Sequence, residues 1–388
     1  MIVIGLISGT SYDGIDCSIG EFQLNGDVIS LHPIATSTES YSPDIYKLIN
    51  STMPPASTDF KQVCELDTLI GEAFADVALK TIERTGLQPD LIVSHGQTMY
   101  HWISPEGKAL GTLQLGDASR IAEKTGIATL AQVRSRDVAA GGQGAPFASL
   151  IDDFLLRDQG KVTAALNLGG ISNITVVSPK DPTIAFDIGP SNALIDAAVR
   201  IYTNGKENFD NAGAYGALGK VDQKFLDALL LEPYYKMSNP KSTGKELFNK
   251  DYLASKLNEF PNILMLDVIT TLTSLSAHTI ANEINRLSVE TVYVSGGGIH
   301  NLTLMKMLRE LSPAVTFAHY EELGLSSDGK EAYLFALIGF LSLNNIAGNI
   351  PSSTGAVGER VMGSLWPGTL GFPKIEPRAV SNPSLRII

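Results

Sequence analysis

Asp187 is the carboxylate whose neighbours say most about chemistry. It follows an apolar, β-branched run at 183–186 that reads as a buried strand. Ile188, Gly189 and Pro190 then break that strand. Ser191 or Asn192 can cap a following helix through a side-chain oxygen. From there Leu194, Ile195, Ala198, Val199 and Tyr202 recur at helical spacing. The pattern predicts one carboxylate at the C-terminal end of a strand, beside a helix N-terminus. Open α/β sheets bind ligands at such corners. Backbone N–H groups there attract anions, and a carboxylate can hold a metal or take a proton. Asp187 can equally do no more than accept N–H groups of its own turn.

Other reactive types stand at similar places. His95 opens HGQT, directly after a short strand at 91–94, where a ligand contact or a purely structural role is open to it. The string RSRDVAAGGQGAP, 134–146, follows a strand at 127–133 and packs two arginines, an aspartate and three glycines together. Arg134 or Arg136 could clamp a carboxylate or phosphate bidentately; the alternative is a surface arginine beside a flexible loop. In PKSTGKELFN, 240–249, Lys241, Ser242 and Thr243 could touch anions. Thr243 or Ser242 could instead cap a helix, with Glu246 closing a capping box, and for Thr243 the cap is the better fit. Gly296, Gly297 and Gly298 let a backbone approach a flat ligand such as a base or ribose.

These residues need elements to position them, and the elements recur. A strand at 3–7 runs into a turn at Gly9, Thr10 and Ser11, with Asp13-Gly14 as a second turn signal. A return strand carries Ile15, Cys17, Ile19 and Phe22. That turn offers amides and hydroxyls to a phosphate, and Asp13 and Asp16 could reach a metal or a sugar hydroxyl. NLGGISNIT, 167–175, repeats the hairpin around Gly169-Gly170. The strand and glycine loop at 291–301 repeat the strand and loop at His95. Hairpin, strand and helix thus occur twice in one order, which predicts two similar α/β domains facing each other across a cleft. The expected domains are 1–133, 134–350 with a helical insertion at about 204–267, and a tail at 351–388.

Composition bounds the function. The chain has 388 residues, 44% hydrophobic and 18% charged, with 36 Gly and 19 Pro, as expected of an α/β protein with ample core. A net charge of -12 speaks against general nucleic-acid binding, while glycine-rich backbone with a divalent cation can still hold a phosphate. Cys17 and Cys64 are the two cysteines, too few for a disulfide framework or a thiolate metal site, and they fit a reducing compartment. The N-terminus reads as a first strand and not as a signal peptide. The longest apolar run, 332–343, is short for a membrane span. The expectation is a cytoplasmic protein with no membrane partner.

Nine strings stand in one order along nearly the whole chain: GLISGTSYDGID, SHGQT, TLQLGD, RSRDVAAGGQGAP, NLGGISNIT, FDIGPSN, PKSTGKELFN, SGGGIHN and KEAYLFA. Together they resemble the anhydro-N-acetylmuramic acid kinases, members of the class sharing the actin, sugar-kinase and Hsp70-type ATPase fold. Levoglucosan kinase shares many of the same strings. The resemblance implies two actin-like (ribonuclease H-like) domains around a central cleft, with ATP and Mg²⁺ as cofactors and a homodimer as the assembly. It implies hydrolytic opening of a 1,6-anhydro ring while the 6-oxygen is phosphorylated, a step in peptidoglycan recycling. Asp187 corresponds to the general base. Gly9, Thr10, Ser11, Tyr12, Asp13, Gly14, Ile15 and Asp16 correspond to the segment holding the ATP phosphates, with Gly169 and Gly170 in the second such turn. Gly296, Gly297, Gly298 and Asn301 correspond to the adenosine loop. Glu331 aligns with an acidic residue near magnesium and sugar, so Asp187 and Glu331 are the implied metal carboxylates. His95, Arg134, Asp13 and Glu331 are the implied sugar contacts. The chain departs from the family pattern at Gln132, Ile188 and Ser191. A kinase for a related anhydrosugar such as levoglucosan, or a non-catalytic nucleotide-binding sensor on the same fold, are the competing functions.

Overall fold

The structure is a computed structural model of the chain, and it describes every residue except Thr10, Ser11, Pro240, Lys245, Ala379 and Asn382. The chain opens with β1 (Ile2–Ser8), β2 (Ile15–Asn25), β3 (Val28–Glu39), α1 (Pro43–Thr52), α2 (Phe60–Thr85), β4 (Leu91–Ile103), β5 (Ala109–Leu115), α3 (Ala118–Thr125), β6 (Thr129–Ala131), α4 (Ser135–Ala139) and α5 (Ala148–Leu156). Its middle holds β7 (Thr163–Leu168), β8 (Ile171–Val177), β9 (Ile184–Pro190), α6 (Asn192–Tyr202), α7 (Gln223–Leu230), α8 (Lys250–Glu259), α9 (Met265–Arg286), β10 (Thr291–Ser295), α10 (Leu302–Leu311) and β11 (Thr316–His319). It closes with α11 (Lys330–Leu343), α12 (Pro351–Thr354), β12 (Ser364–Trp366) and β13 (Ser384–Ile387).

Two compact units result: Met1–Leu155 with Leu323–Ile388, and Leu156–Glu322. This grouping differs from the division at 133/134 and 350/351 expected from sequence. Residues 134–155 and everything after 322 pack with the first unit. Lys330 pairs with Asp152 at 2.6 Å, β12 pairs with β6, and β13 pairs with β3. The two sheets share one core order. In the first unit it runs β3-β2-β1-β4-β6, extended by β13 and β12 at its ends, with β5 on β4; in the second it runs β9-β8-β7-β10-β11. Each begins as an antiparallel three-strand meander, and its last two strands join in parallel. The doubled hairpin–strand pattern of the sequence is thus a doubled actin-like α/β topology.

The first sheet is covered on both faces, so β1 is a near-continuous apolar strand. Helix α2 brings Leu66, Ile70, Phe74 and Ala78 to one core. Helix α11 is buried from Ala332 through Leu341, as its all-round apolar sequence requires. It lies very close to the sheet: a Cβ on Gly5 would run into the Ala332 carbonyl, and one on Gly339 into Val93. In the second unit β7, β8, β9 and β10 pack with α9 and α10 around Leu166, Phe186, Ile188, Ile280 and Val294. A second core joins α6, α7, α8 and α9, of which α7 and α8 fall within residues 204–267. The Ile188 departure is absorbed by this packing, since its side chain is buried.

Three local expectations differ. The strand carrying His95 does not stop at Ser94; β4 continues to Ile103 because β5 pairs with its second half. The strand carrying Asp187 continues to Pro190, because Ile171 of β8 pairs with Pro190. Neither Ser242 nor Thr243 caps a helix. Asn249 does so for α8, its carboxamide oxygen accepting the Asp251 and Tyr252 amides at 2.9 Å each.

Candidate active site

Strand alternation aims Asp187. Phe186 and Ile188 point into the core, so the residue between them faces the opposite side of β9. There the insertion meets it. The Ser242 hydroxyl donates to Asp187 Oδ2 at 2.7 Å, and the Thr243 amide donates to the same oxygen at 3.0 Å. The Asp187 amide donates to the Lys241 carbonyl at 3.0 Å, and the Tyr234 hydroxyl to the Asp187 carbonyl at 2.6 Å. Among the described residues no donor reaches Oδ1. Burial pushes the carboxyl above the usual carboxylate range, the two donors pull it back, and the nearby Glu246 charge adds to the rise. A half-buried carboxylate with one bonded and one open oxygen and raised proton affinity has the properties of a general base.

The helix after it is built differently from the expectation. Ser191 stands at the N-cap of α6 without a capping bond, and its buried hydroxyl has no partner among the described residues. The Asn192 side chain donates to the Leu168 and Gly169 carbonyls at 2.9 and 2.8 Å instead of accepting. The Ser191, Asn192 and Ala193 amides all donate to the Gly169 or Gly170 carbonyls at 2.9–3.1 Å. The first amides of α6 therefore lock the β7–β8 turn in place and are not the anion site the sequence pointed to.

Gly296, Gly297 and Gly298 divide into two kinds. Gly296 has φ of 81°, and a Cβ there would strike the Asn167 side chain and the Leu168 backbone. A Cβ on Gly298 would come within 2.6 Å of the Leu168 side chain. Both let the 3-10 turn Gly297–His300 sit on the end of β7. A Cβ on Gly297 would meet no described residue within 4 Å, and Gly297 lines two cavities of about 510 and 740 Å³, a size suited to a cofactor. Gly169 and Gly170 line the larger; Phe209, Asn211, His300 and Asn301 line the smaller. The Asn301 side chain is committed to capping α10, accepting the Leu304 amide at 2.9 Å. The sequence missed Phe209 and Asn211; the turn-prone NFDNAGA around them was the available signal.

The first unit gathers a charged group. Arg134 Nε donates to His95 Nε2 at 2.7 Å, and Nη1 donates to the Gly144 carbonyl at 2.5 Å. His95 lies 2.9 Å from the Gly96 carbonyl through Nδ1, so its proton is on Nδ1. Burial, then the Arg134 charge, hold His95 well below the ordinary histidine value. It is neutral, with both nitrogens engaged, and acts on any ligand through Arg134. Burial lowers Arg134 to about 10, against the pull of Glu331 and Asp137, so it stays cationic near neutrality. Glu331 is solvent-accessible yet surrounded by protein; that crowding raises its carboxyl, Arg134 opposes the rise and Asp16 adds to it. Asp16 accepts from Thr38 at 2.5 Å, and burial raises it too.

The loop holding Arg134 is organised by Asp137, which the sequence did not single out. This fully buried carboxylate accepts from the Gly144 amide, the Asn349 carboxamide and the Thr354 hydroxyl at 2.8 Å each. Arg136 is exposed.

Around the first turn, the Tyr12 amide donates to the Gly9 carbonyl at 3.1 Å and its hydroxyl to Asn50 at 3.0 Å. Buried Gln97, on β4, donates to the Gly9 carbonyl at 3.0 Å and accepts from Ser8 at 2.6 Å. Asp13 is exposed, while Gly14 and Ile15 are buried. Thr10 and Ser11 lie outside the described residues. Lys241 does not face an anionic ligand. Its side chain is buried, 3.7 Å from Glu283 and 5.0 Å above the Tyr234 ring.

The sequence profile described as anhydro-N-acetylmuramic acid kinase matches residues 1–368. The anhydro-N-acetylmuramic acid kinase of Rhodococcus erythropolis is 46% identical, over 100% of this chain and 99% of that one. The enzyme of that name from Streptomyces coelicolor is 44% identical over the same shares. The one from Caldanaerobacter subterraneus is 38% identical over 94% of this chain and 96% of its own. With the doubled sheet topology and a held carboxylate on β9, this chain belongs to the anhydro-N-acetylmuramic acid kinase family.

Proposed function

We propose that this kinase opens the 1,6-anhydro ring of 1,6-anhydro-N-acetylmuramic acid with water while phosphorylating the oxygen that leaves. Water's oxygen bonds to the anomeric carbon and its proton passes to Asp187. The bond from that carbon to the bridging oxygen breaks, and the freed 6-oxygen takes the γ-phosphoryl group of ATP as ADP departs. The products are N-acetylmuramic acid 6-phosphate and ADP. The observation carrying this reading is the Asp187 carboxylate, with Oδ2 held by two donors and Oδ1 open among the described residues. General-base assistance to a weak nucleophile such as water is typically worth roughly 10²–10⁴-fold.

Other residues take the supporting roles. Arg134, oriented by His95 and Gly144, suits the lactyl carboxylate that separates muramic acid from plain anhydrosugars. Glu331 and Asp13 suit sugar hydroxyls. The turn from Gly9 to Asp16 and the turn at Gly169-Gly170 suit phosphates, and Gly297 suits adenosine.

Among the described residues no three His, Cys, Asp or Glu side chains form a metal cage. Mg²⁺ ordinarily keeps waters and takes one or two carboxylates along with substrate phosphates. Asp187 and Glu331 each carry hard carboxylate oxygens of the kind Mg²⁺ takes, and each is a candidate to hold it. Bound with the nucleotide, the ion would neutralise charge building on the transferred phosphoryl group.

A cell-wall sugar as substrate places the reaction in peptidoglycan recycling. Two cysteines without a disulfide and a demand for ATP fit the cytoplasm. The test is ATP consumption by the purified protein with 1,6-anhydro-N-acetylmuramic acid, levoglucosan and N-acetylmuramic acid in parallel. Turnover of the first alone, yielding its 6-phosphate, supports the proposal. Turnover of levoglucosan alone removes Arg134 from its carboxylate role, and nucleotide binding without turnover of any sugar overturns the reaction.

A further inference from the structure

We propose that Ser242 and Thr243 are positioning residues for Asp187, and that the helical insertion thereby decides which carboxylate oxygen meets the reacting water. The proposal rests on Asp187 being the general base. Its warrant is the asymmetry of the contacts. The Ser242 hydroxyl and the Thr243 amide both donate to Oδ2, at 2.7 and 3.0 Å, and neither reaches Oδ1. Two donors on one oxygen fix the carboxylate's rotation about its side-chain bonds. A carboxylate free to turn would present either oxygen, at varying distances, to the water.

The segment carrying these donors is itself anchored. The Asp187 amide donates to the Lys241 carbonyl, and the Tyr234 hydroxyl donates to the Asp187 carbonyl, so the insertion grips β9 from both sides of the residue. Lys241 tethers the strap. Its buried ammonium donates to the Tyr235 carbonyl at 3.3 Å, lies 3.7 Å from Glu283 on α9, and stacks over Tyr234. The grip thus runs from the base through residues 241–243 to the long core helix. Ser242 is exposed, so its truncation removes little buried surface. Its hydroxyl is therefore a clean handle on Asp187 orientation. Catalytic groups displaced by as little as about 1 Å lose on the order of 10²-fold in rate.

The experiment measures kcat, KM for sugar and for ATP, and the thermal midpoint of Ser242→Ala and Ser242→Thr, with Asp187→Asn alongside. Expected for Ser242→Ala is a kcat loss of about 10- to 100-fold, the size set by one charge-assisted hydrogen bond and the misplacement it prevents. Both KM values should stay within about twofold and the midpoint should not move. Ser242→Thr, which keeps the hydroxyl, should recover most of kcat. Unchanged kcat in Ser242→Ala overturns the proposal. So does a raised KM at unchanged kcat, which would make Ser242 a substrate contact, and so does failure of Ser242→Thr to recover activity. Asp187→Asn separates the two ideas: if it is inactive while Ser242→Ala is normal, the strap alone is refuted. If Asp187→Asn is active, the base assignment falls and takes the strap with it.

Discussion

The glycines at 296–298 allow three adjacent one-methyl substitutions to be set against one another. In Gly298→Ala the new Cβ would stand 2.6 Å from the Leu168 side chain, 3.0 Å from its carbonyl and 3.2 Å from the Asn192 carboxamide. Overpacking of that kind costs about 1–3 kcal/mol. Gly296→Ala meets the Asn167 side chain and Leu168 backbone and must also hold φ near 81°, which adds about 1–2 kcal/mol. For a unit of this size each kcal/mol lowers the midpoint by roughly 2–4 °C. Gly298→Ala should therefore melt about 2–12 °C lower and Gly296→Ala lower still. Gly297→Ala has open space on every side, so its midpoint should stay within about 2 °C of the parent. Its methyl instead enters the cavities assigned to the nucleotide, and a penalty of about 1–2 kcal/mol there raises the KM for ATP roughly 5- to 30-fold. Thermal melts by circular dichroism and a coupled ADP-release assay read both quantities. If Gly297→Ala melts as low as Gly298→Ala, the packing of this loop has been misread. If its KM for ATP is unchanged, the nucleotide does not pass over this loop.

Asp187→Asn keeps an acceptor for Ser242 and Thr243 but cannot take a proton, so kcat should fall about 10²–10⁴-fold with KM nearly unchanged. Because burial raises the Asp187 carboxyl, its charge opposes folding above the ordinary carboxylate range, and the variant should melt no lower than the parent at pH 7. Burial and then Arg134 depress His95, so the unfolded chain takes up its proton first and folding weakens as pH falls through about 6.5. His95→Gln, which can still accept from Arg134, should show a shallower fall in midpoint between pH 7.5 and 5.5; an identical slope would show that His95 is not the group responsible. Asp137→Ala leaves the Gly144 amide, Asn349 and Thr354 without their acceptor and should cost about 3 kcal/mol or more in a denaturant melt. It should also raise the sugar KM through Arg134, and a change in neither would remove Asp137 as organiser of the loop.

The sequence carried the architecture because hydrophobic periodicity and glycine turns are local signals. The two hairpins around Gly9 and Gly169, the helix at 330–343 and the αL end of α3 at Gly126 are all visible that way. What escaped depends on partners distant along the chain. Nothing near His95 or Asp187 announces that β5 and β8 will carry their strands several residues further. Ser242 and Thr243 look like caps, because a cap is the local use of a hydroxyl before a helix; their actual acceptor is 55 or 56 residues away. Asn192 looks like a cap for the same reason and serves instead to tie down the preceding turn. Gln97 and Asp137 were overlooked because a buried polar group declares its purpose only once its acceptors and donors are assembled.

The first unit is assembled from both ends of the chain, with the second unit's residues between. On the ribosome this imposes an order. The strands β1 and β4 emerge early with one face destined for α11, yet about 225 residues must follow β4 before that helix begins. At ordinary elongation rates of roughly 5–20 residues per second, the uncovered face persists for about 10–45 seconds. The intervening unit, contiguous in sequence, can reach its native state in that interval. The earlier half must wait, an apolar surface in a crowded cell. A nascent chain arrested before Lys330 would therefore be a client for trigger-type holdases, and a ribosome-release or pulse-proteolysis comparison on either side of α11 would find protection of the first sheet arriving as one late event.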